Sequence, residues 1–244
     1  MNVLSIGNSF SQDAHRYLHR IARADGLNMT TVNLYISGCS LSRHYRNMLS
    51  QQREYTFEMN GESAKLNVSV DEVLLSRDWD VVTVQQTSSK STDYESYQPY
   101  LNALAEHIRR CAPKAKLAVH QTWAYEKDSQ RLRTVAGYED HVQMFMDLKQ
   151  AYNNAARDIG ADLIIPSGQV FQQLIASGIE NIHRDTYHSS KGVGRYALGL
   201  TWYAALTGRD IEQNPFDDFD EEVSPEQRVT VKSCVTGVVG EYNR

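Results

Sequence analysis

"LSIGNSFSQDA" occupies residues 4–14. An apolar run from Asn2 to Ile6 stops at Gly7-Asn8-Ser9-Phe10. From Ser11 to Asp25, Ala14, Tyr17, Leu18, Ile21 and Ala22 recur at helical spacing. A strand that ends in a tight turn and feeds a helix sets one side chain at the mouth of a sheet, and here that side chain is Ser9. A serine at this place is either a helix cap, its hydroxyl accepting a backbone N–H two or three residues on, or a nucleophile. Ser11 can take the capping role, with Asp13 supporting the helix dipole, which frees Ser9 for chemistry.

The alternation continues outward from this stretch. Met29–Ile36, Asp80–Val84, Lys116–His120 and Asp162–Pro166 read as strands, and Tyr97–Arg110, Tyr138–Ile159 and Gly192–Gly208 as helices. Strand and helix in turn imply a parallel sheet covered on both faces. "YTFEMNGESAKLNVSV", residues 55–70, carries an Asn-Gly turn between two alternating runs and predicts a β-hairpin. It is expected as an excursion from the main sheet, at about residues 54–70, available as an arm for a partner or a dimer.

Composition bounds the function. A chain of 244 residues suits one α/β domain spanning 1–244, and no linker divides it. The net charge of -5 argues against a nucleic-acid partner. No run of about 18 apolar residues exists, so no membrane span is expected. The opening residues lack a basic, then apolar leader pattern, which implies a cytoplasmic protein as numbered, or a periplasmic or secreted one whose leader has been removed. Cys39, Cys111 and Cys234 are too scattered for a disulfide framework or a zinc site. The acidic "NPFDDFDEE", residues 214–222, reads as a solvated loop.

In a parallel sheet, ligands gather outside the carboxyl ends of the strands. The segments there are Gly7-Asn8-Ser9, Ser37-Gly38-Cys39-Ser40, Gln85-Gln86-Thr87-Ser88, His120-Gln121-Thr122-Trp123 and Pro166-Ser167-Gly168. A serine nucleophile needs a base, and the base an orienter. "RDTYHSSKGVG" offers both, since Asp185 sits three residues before His188. A carboxylate at that offset reaches Nδ1 and leaves Nε2 free to take a proton. The same pattern is also compatible with a polar turn capped by Asp185. His120, Gln121 and Trp123 combine hydrogen-bonding groups with a flat apolar face that suits a sugar ring, with core packing of Trp123 as the alternative. His15 and His19 stand four apart on the first helix, but no Cys, His, Asp or Glu cluster at ligand spacing is evident, so neither metal nor cofactor is expected.

"GNSFS", "SGCS", the glutamine- and serine-rich loop after "WDVVTV", and "DTYHSSKGVGRYALGLTWYAALTG" together resemble the SGNH, or GDSL-like, hydrolase superfamily. The likeness is closest to a bacterial branch with Gly-Asn-Ser-Phe in place of Gly-Asp-Ser-Leu and largely of unknown function. It spans residues 2 to about 208. The resemblance implies a flavodoxin-like three-layer α/β/α sandwich with a five-stranded parallel sheet. It implies Ser9 as nucleophile, His188 as base and Asp185 as orienter. It implies an oxyanion hole from the amides of Ser9 and Gly38. The superfamily's usual third donor, an Asn after the third strand, is missing. Gln85 resembles the glutamine of a related loop and Gln86 is the alternative, the register being open by one residue. Asn8, His120, Gln121 and Trp123 are the expected substrate contacts. The implied activity is a serine esterase acting on short acyl esters, acetyl above all, of a small molecule or glycan. Two alternatives stand beside it: a non-catalytic glycan- or small-molecule-binding domain, and a lipase- or thioesterase-type enzyme. Oligomeric state is left open.

Overall fold

The structure is a computed structural model that describes residues 1–242. Its centre is β1 (Asn2–Gly7), whose residues from Val3 onward are all buried. A strand with no solvent-facing side must have neighbours on both edges and helices on both faces. β1 pairs in parallel with β2 (Thr30–Tyr35) on one edge and with β5 (Val81–Val84) on the other. Beyond β5, β6 (Lys116–Gln121) and β7 (Leu163–Pro166) continue the parallel sheet. These are the five parallel strands expected from the sequence.

The hairpin departs from expectation. β3 (Tyr55–Met59) and β4 (Glu62–Val68) anneal antiparallel onto the free edge of β2, extending the sheet to seven strands in the order β4-β3-β2-β1-β5-β6-β7. Its turn, Asn60-Gly61, has φ of 53° and 82°, the left-handed pair that matches strand twist. A Cβ on Gly61 would lie 2.7 Å from the Arg16 carbonyl oxygen. The turn therefore rests on the backbone of the first helix instead of projecting as an arm.

α1 (Ser9–Ala24) packs on one face of the sheet together with α6 (Ser167–Ala176), α7 (Val193–Thr207) and α8 (Pro225–Tyr242). α2 (Leu41–Ser50), α3 (Val70–Leu74), α4 (Tyr100–Cys111) and α5 (His141–Asp158) cover the other. The architecture is thus a three-layer α/β/α sandwich. α7 is buried along most of its length, which explains its nearly unbroken apolar sequence. Residues 214–222 are not simply solvated: Asn214 and Phe216 are buried, and Asp220 takes Arg16 Nη2 at 2.7 Å and Arg195 Nη1 at 2.8 Å. Among the described residues, no helix is long and apolar enough to cross a membrane.

From β1 the chain steps outward to β2, and later returns to the opposite side of β1 at β5. That reversal opens a crevice outside the carboxyl ends of β1 and β5, where ligands of such sheets bind. Ser9 is the first helical residue at that point.

Candidate active site

The turn that delivers Ser9 is built from its neighbours. A Cβ on Gly7 would lie 2.0 Å from Ser11 Oγ, so only glycine fits. Asn8, not Ser11, is the cap of α1: its Oδ1 accepts the Phe10 amide at 3.0 Å. Ser11 Oγ completes a reciprocal capping box by accepting the Asn8 amide at 3.0 Å. The helix consequently starts two residues earlier than its apolar pattern indicates. Ser9 occupies its first turn with a hydroxyl that no cap consumes, where the helix dipole favours developing negative charge.

His188 and Asp185 meet that hydroxyl. Ser9 Oγ lies 2.8 Å from His188 Nε2, and His188 Nδ1 lies 2.7 Å from Asp185 Oδ2. Asp185 Oδ1 also accepts the His188 amide at 2.9 Å, closing a small ring that fixes the imidazole. Burial would push the Asp185 carboxyl up, but the His188 hydrogen bonds, the imidazole charge and Arg184 outweigh it and hold it below its ordinary value. Between them Thr186 has φ of 74°, a left-handed conformation that costs a β-branched residue energy and forces the tight return. The Thr186 carbonyl is held by the Glu126 amide at 2.8 Å.

A buried ion cluster ties this loop to α1, the helix that carries Ser9. Asp13, fully buried and one helical turn after Ser9, accepts Arg184 Nη1 on both oxygens at 2.9 Å and Arg195 Nε at 2.9 Å. The helix-dipole role assigned to Asp13 from the sequence is therefore incomplete. The carboxylate lies on the inner face of α1, beside Ala14 and Tyr17, and only two arginines from distant segments make that burial tolerable. The signal available in the sequence was an acid on the apolar stripe of α1.

Several expected substrate contacts and both candidate oxyanion glutamines lie beneath the surface. Asn8, Gln85, Gln86, His120, Gln121 and Trp123 are each 3% exposed or less. Five residues instead form one hydrogen-bonded rail under the site. Ser167 Oγ donates to His120 Nε2 at 3.1 Å, and His120 Nδ1 to Gln85 Oε1 at 2.6 Å. Gln85 Nε2 donates to Asn8 Oδ1 at 2.8 Å, and Asn8 Nδ2 to the Cys39 carbonyl at 3.1 Å. These residues lie at or just beyond the carboxyl ends of β7, β6, β5, β1 and β2, so the rail crosses the parallel sheet in its spatial order. A neutral His120 is required, and burial lowers its pKa to about 3.

The remaining members are also structural. Gln121 Nε2 donates to Tyr242 Oη at 3.0 Å and its Oε1 accepts the Gln169 amide at 3.1 Å. Trp123 stacks on Phe10 at 4.1 Å and donates Nε1 to the Tyr187 carbonyl at 2.8 Å, supporting the histidine loop from below. Gln86 staples loops: its Oε1 accepts the Leu41 and Thr87 amides, and its Nε2 donates to Ser96. Small polar residues at strand ends thus serve a buried network here, a use that a one-dimensional pattern does not separate from ligand binding.

For the oxyanion, the structure leaves two backbone donors open. Ser9 is the first helical residue and has no intrahelical acceptor. Gly38 stands in a turn at φ of 59°. Neither amide donates to an acceptor among the described residues. Gln85 commits its oxygen and one of its two amide protons to the rail. His15 and His19 do not converge on a metal: His15 Nε2 contacts Ser5 Oγ at 2.7 Å, and His19 Nδ1 donates to the Met29 carbonyl at 2.6 Å. Asp71, His107 and Cys111 do come together, a grouping the sequence reading missed although His107 and Cys111 are four apart on α4. There His107 Nε2 donates to Asp71 Oδ1 at 2.6 Å and Nδ1 accepts Arg110 Nη2 at 3.3 Å, so both ring nitrogens are occupied by an α3–α4 clamp.

Comparison places this geometry in a family. Residues 2–235 match the family described as Domain of unknown function (DUF4886), and the chain belongs to it. A crystal structure of a DUF4886 family protein from Bacteroides uniformis is 32% identical, with a TM-score of 0.93 over 100% of this chain and 96% of that one. A candidate SGNH hydrolase from Slackia heliotrinireducens is 22% identical, with a TM-score of 0.62 over 83% of this chain and 97% of that one. An acetylxylan esterase from Geobacillus stearothermophilus is 14% identical, with a TM-score of 0.57 over 85% of this chain and 95% of that one. The fold is that of the SGNH, GDSL-like hydrolases. No curated protein matches the sequence.

Proposed function

We propose that this protein is a serine carboxylic-ester hydrolase that removes short acyl groups, acetyl foremost, from a carbohydrate or small-molecule ester. The observation that carries the proposal is the 2.8 Å approach of Ser9 Oγ to His188 Nε2, with Asp185 on the other ring nitrogen. His188 takes the Ser9 proton as the oxygen attacks the ester carbonyl, and returns it to the departing alcohol. Water, deprotonated by the same imidazole, then cleaves the acyl-enzyme and releases the acid. Asp185 keeps the imidazole in the Nδ1–H tautomer and stabilises the cation that forms. The Ser9 and Gly38 amides receive the oxyanion, and such preorganised donors each contribute roughly 10²–10³ in rate. The chemistry requires only these groups.

A fluorophosphonate probe tests the proposal directly. The wild-type chain is expected to label at Ser9 and to hydrolyse aryl acetates faster than long-chain esters, while Ser9→Ala does neither. A folded wild-type protein that neither labels nor turns over acetyl esters would instead be a binding domain on this fold.

A further inference from the structure

One cation beside the triad has no assigned partner. Arg131 stands where the segment after β6 begins a single π-helical turn, Leu132–Ala136, and such turns concentrate at functional sites. Its guanidinium lies 3.8 Å from the centre of the Tyr187 ring, and that ring lies 3.9 Å from the His188 ring. Arg131 is therefore no farther from the imidazole than those two steps combined. Tyr125 flanks the same guanidinium at 5.8 Å. Tyr125 is itself fixed through Ser88 Oγ at 3.0 Å, so the loops after β5 and β6 and the histidine loop converge on one wall. The segment is braced at its base by the Glu126–Thr186 bond and at its turn by Ser129 Oγ, which accepts the Leu132 amide at 3.1 Å.

Arg184 and Arg195, the arginines tied to the histidine loop and α1, both pair with Asp13, and Arg16, Arg20 and Arg43 also pair with carboxylates. Arg131, among the described residues, pairs with none and donates no hydrogen bond. Stacking on a tyrosine engages the face of the guanidinium and leaves the N–H groups around its rim free. A planar fork of donors, held by its face and open at its edge, is a carboxylate receptor. We infer that Arg131 forms an anionic subsite beside the triad, and that the preferred substrate is an ester that also carries a carboxylate within about one sugar ring of the acyl group. O-acetylated uronic acids are the simplest such class. The inference rests on the esterase proposal, because it names the substrate of that same site.

The test compares kcat/KM for an O-acetylated methyl uronoside as its free acid and as its neutral methyl ester. Wild type is expected to favour the acid by about tenfold, a difference of about 1.4 kcal/mol. Arg131→Gln should bring that ratio close to one through KM, with Arg131→Lys in between. The preference of wild type should also shrink with added salt. Fluorophosphonate labelling of Ser9 in each variant reports an intact site. Equal rates on acid and methyl ester in wild type, or a ratio that survives Arg131→Gln, overturns the subsite while leaving the esterase in place. If neither compound is turned over, binding of the acid form to Ser9→Ala protein decides: loss on Arg131→Gln supports the subsite, and no binding to either overturns it. Absence of Ser9 labelling separately removes the esterase.

Discussion

Gln85→Ala separates a catalytic donor from a positioning residue. Were Gln85 an oxyanion donor, truncation would cost about 10²–10³ in kcat and leave stability nearly unchanged. The geometry predicts the reverse. Asn8 Oδ1 keeps the Phe10 amide when Gln85 is lost, so the cap survives. His120 Nδ1 loses its only acceptor and becomes a buried, unpaired donor, which costs about 1–3 kcal/mol. The site is 3% exposed, so the missing amide adds a cavity to that loss. Stability should therefore fall by about 2–4 kcal/mol, a large share of the usual 5–15 kcal/mol. The rate should fall less than about tenfold, since Ser9 loses only a lateral tether. Urea unfolding and aryl-acetate turnover, measured on the same preparation, read both quantities. A kcat lowered several hundredfold with an unchanged urea midpoint would refute the rail and restore Gln85 as the third donor.

Ser9→Ala and His188→Ala should each lose on the order of 10⁴-fold or more in kcat, and the double variant little beyond either, because the pair acts as one unit. Asp185→Asn should stay folded and lose up to about 10⁴-fold through the wrong tautomer; full activity would reduce the machinery to a Ser-His dyad. Asp13→Asn should lower stability by about 3–5 kcal/mol by leaving Arg184 without a carboxylate and Arg195 with Asp220 alone, with kcat falling as the histidine loop loosens; unchanged thermal melting contradicts that role. His15, His44 and His120 are held at about 3 by burial, against an ordinary 6.5. They are neutral in the fold but protonate in the unfolded chain below pH 6.5, so stability falls as pH drops from there toward 4. The loss is about 1 kcal/mol per histidine between pH 7 and 5.5, and a urea midpoint flat across that range contradicts it. Asp220, lowered to about 2 chiefly by its hydrogen bond from Arg16, adds its own loss only below about pH 4.

The order of strands and helices was legible because burial imposes period: valine-rich runs for strands covered on both faces, 3.6-residue spacing for α1 and α5. α2, α3 and α6 are only ten, five and ten residues long, and α2 buries His44 and Asn47 where an apolar stripe would be read; they were missed, as was α8 with its mixed surface. Ser9, Asp185 and His188 were identifiable because a serine at a strand–turn–helix junction and an Asp three residues before a His are local patterns. What local pattern cannot supply is which way a polar side chain faces. Asn8, Gln85, His120 and Trp123 carry the chemistry of a binding surface, yet the sheet's register and the covering helices fold them into a rail and a buried stack. Asp13 met Arg184 and Arg195 only because the last third of the chain returns to α1, and Arg131 reached Tyr187 only because two loops converge above the strands. Local pattern was enough for the alternating sheet and for Ser9, Asp185 and His188. Which polar groups are spent inside and which charge is left unpaired follows from the packed fold, since burial depends on contacts between residues far apart along the chain.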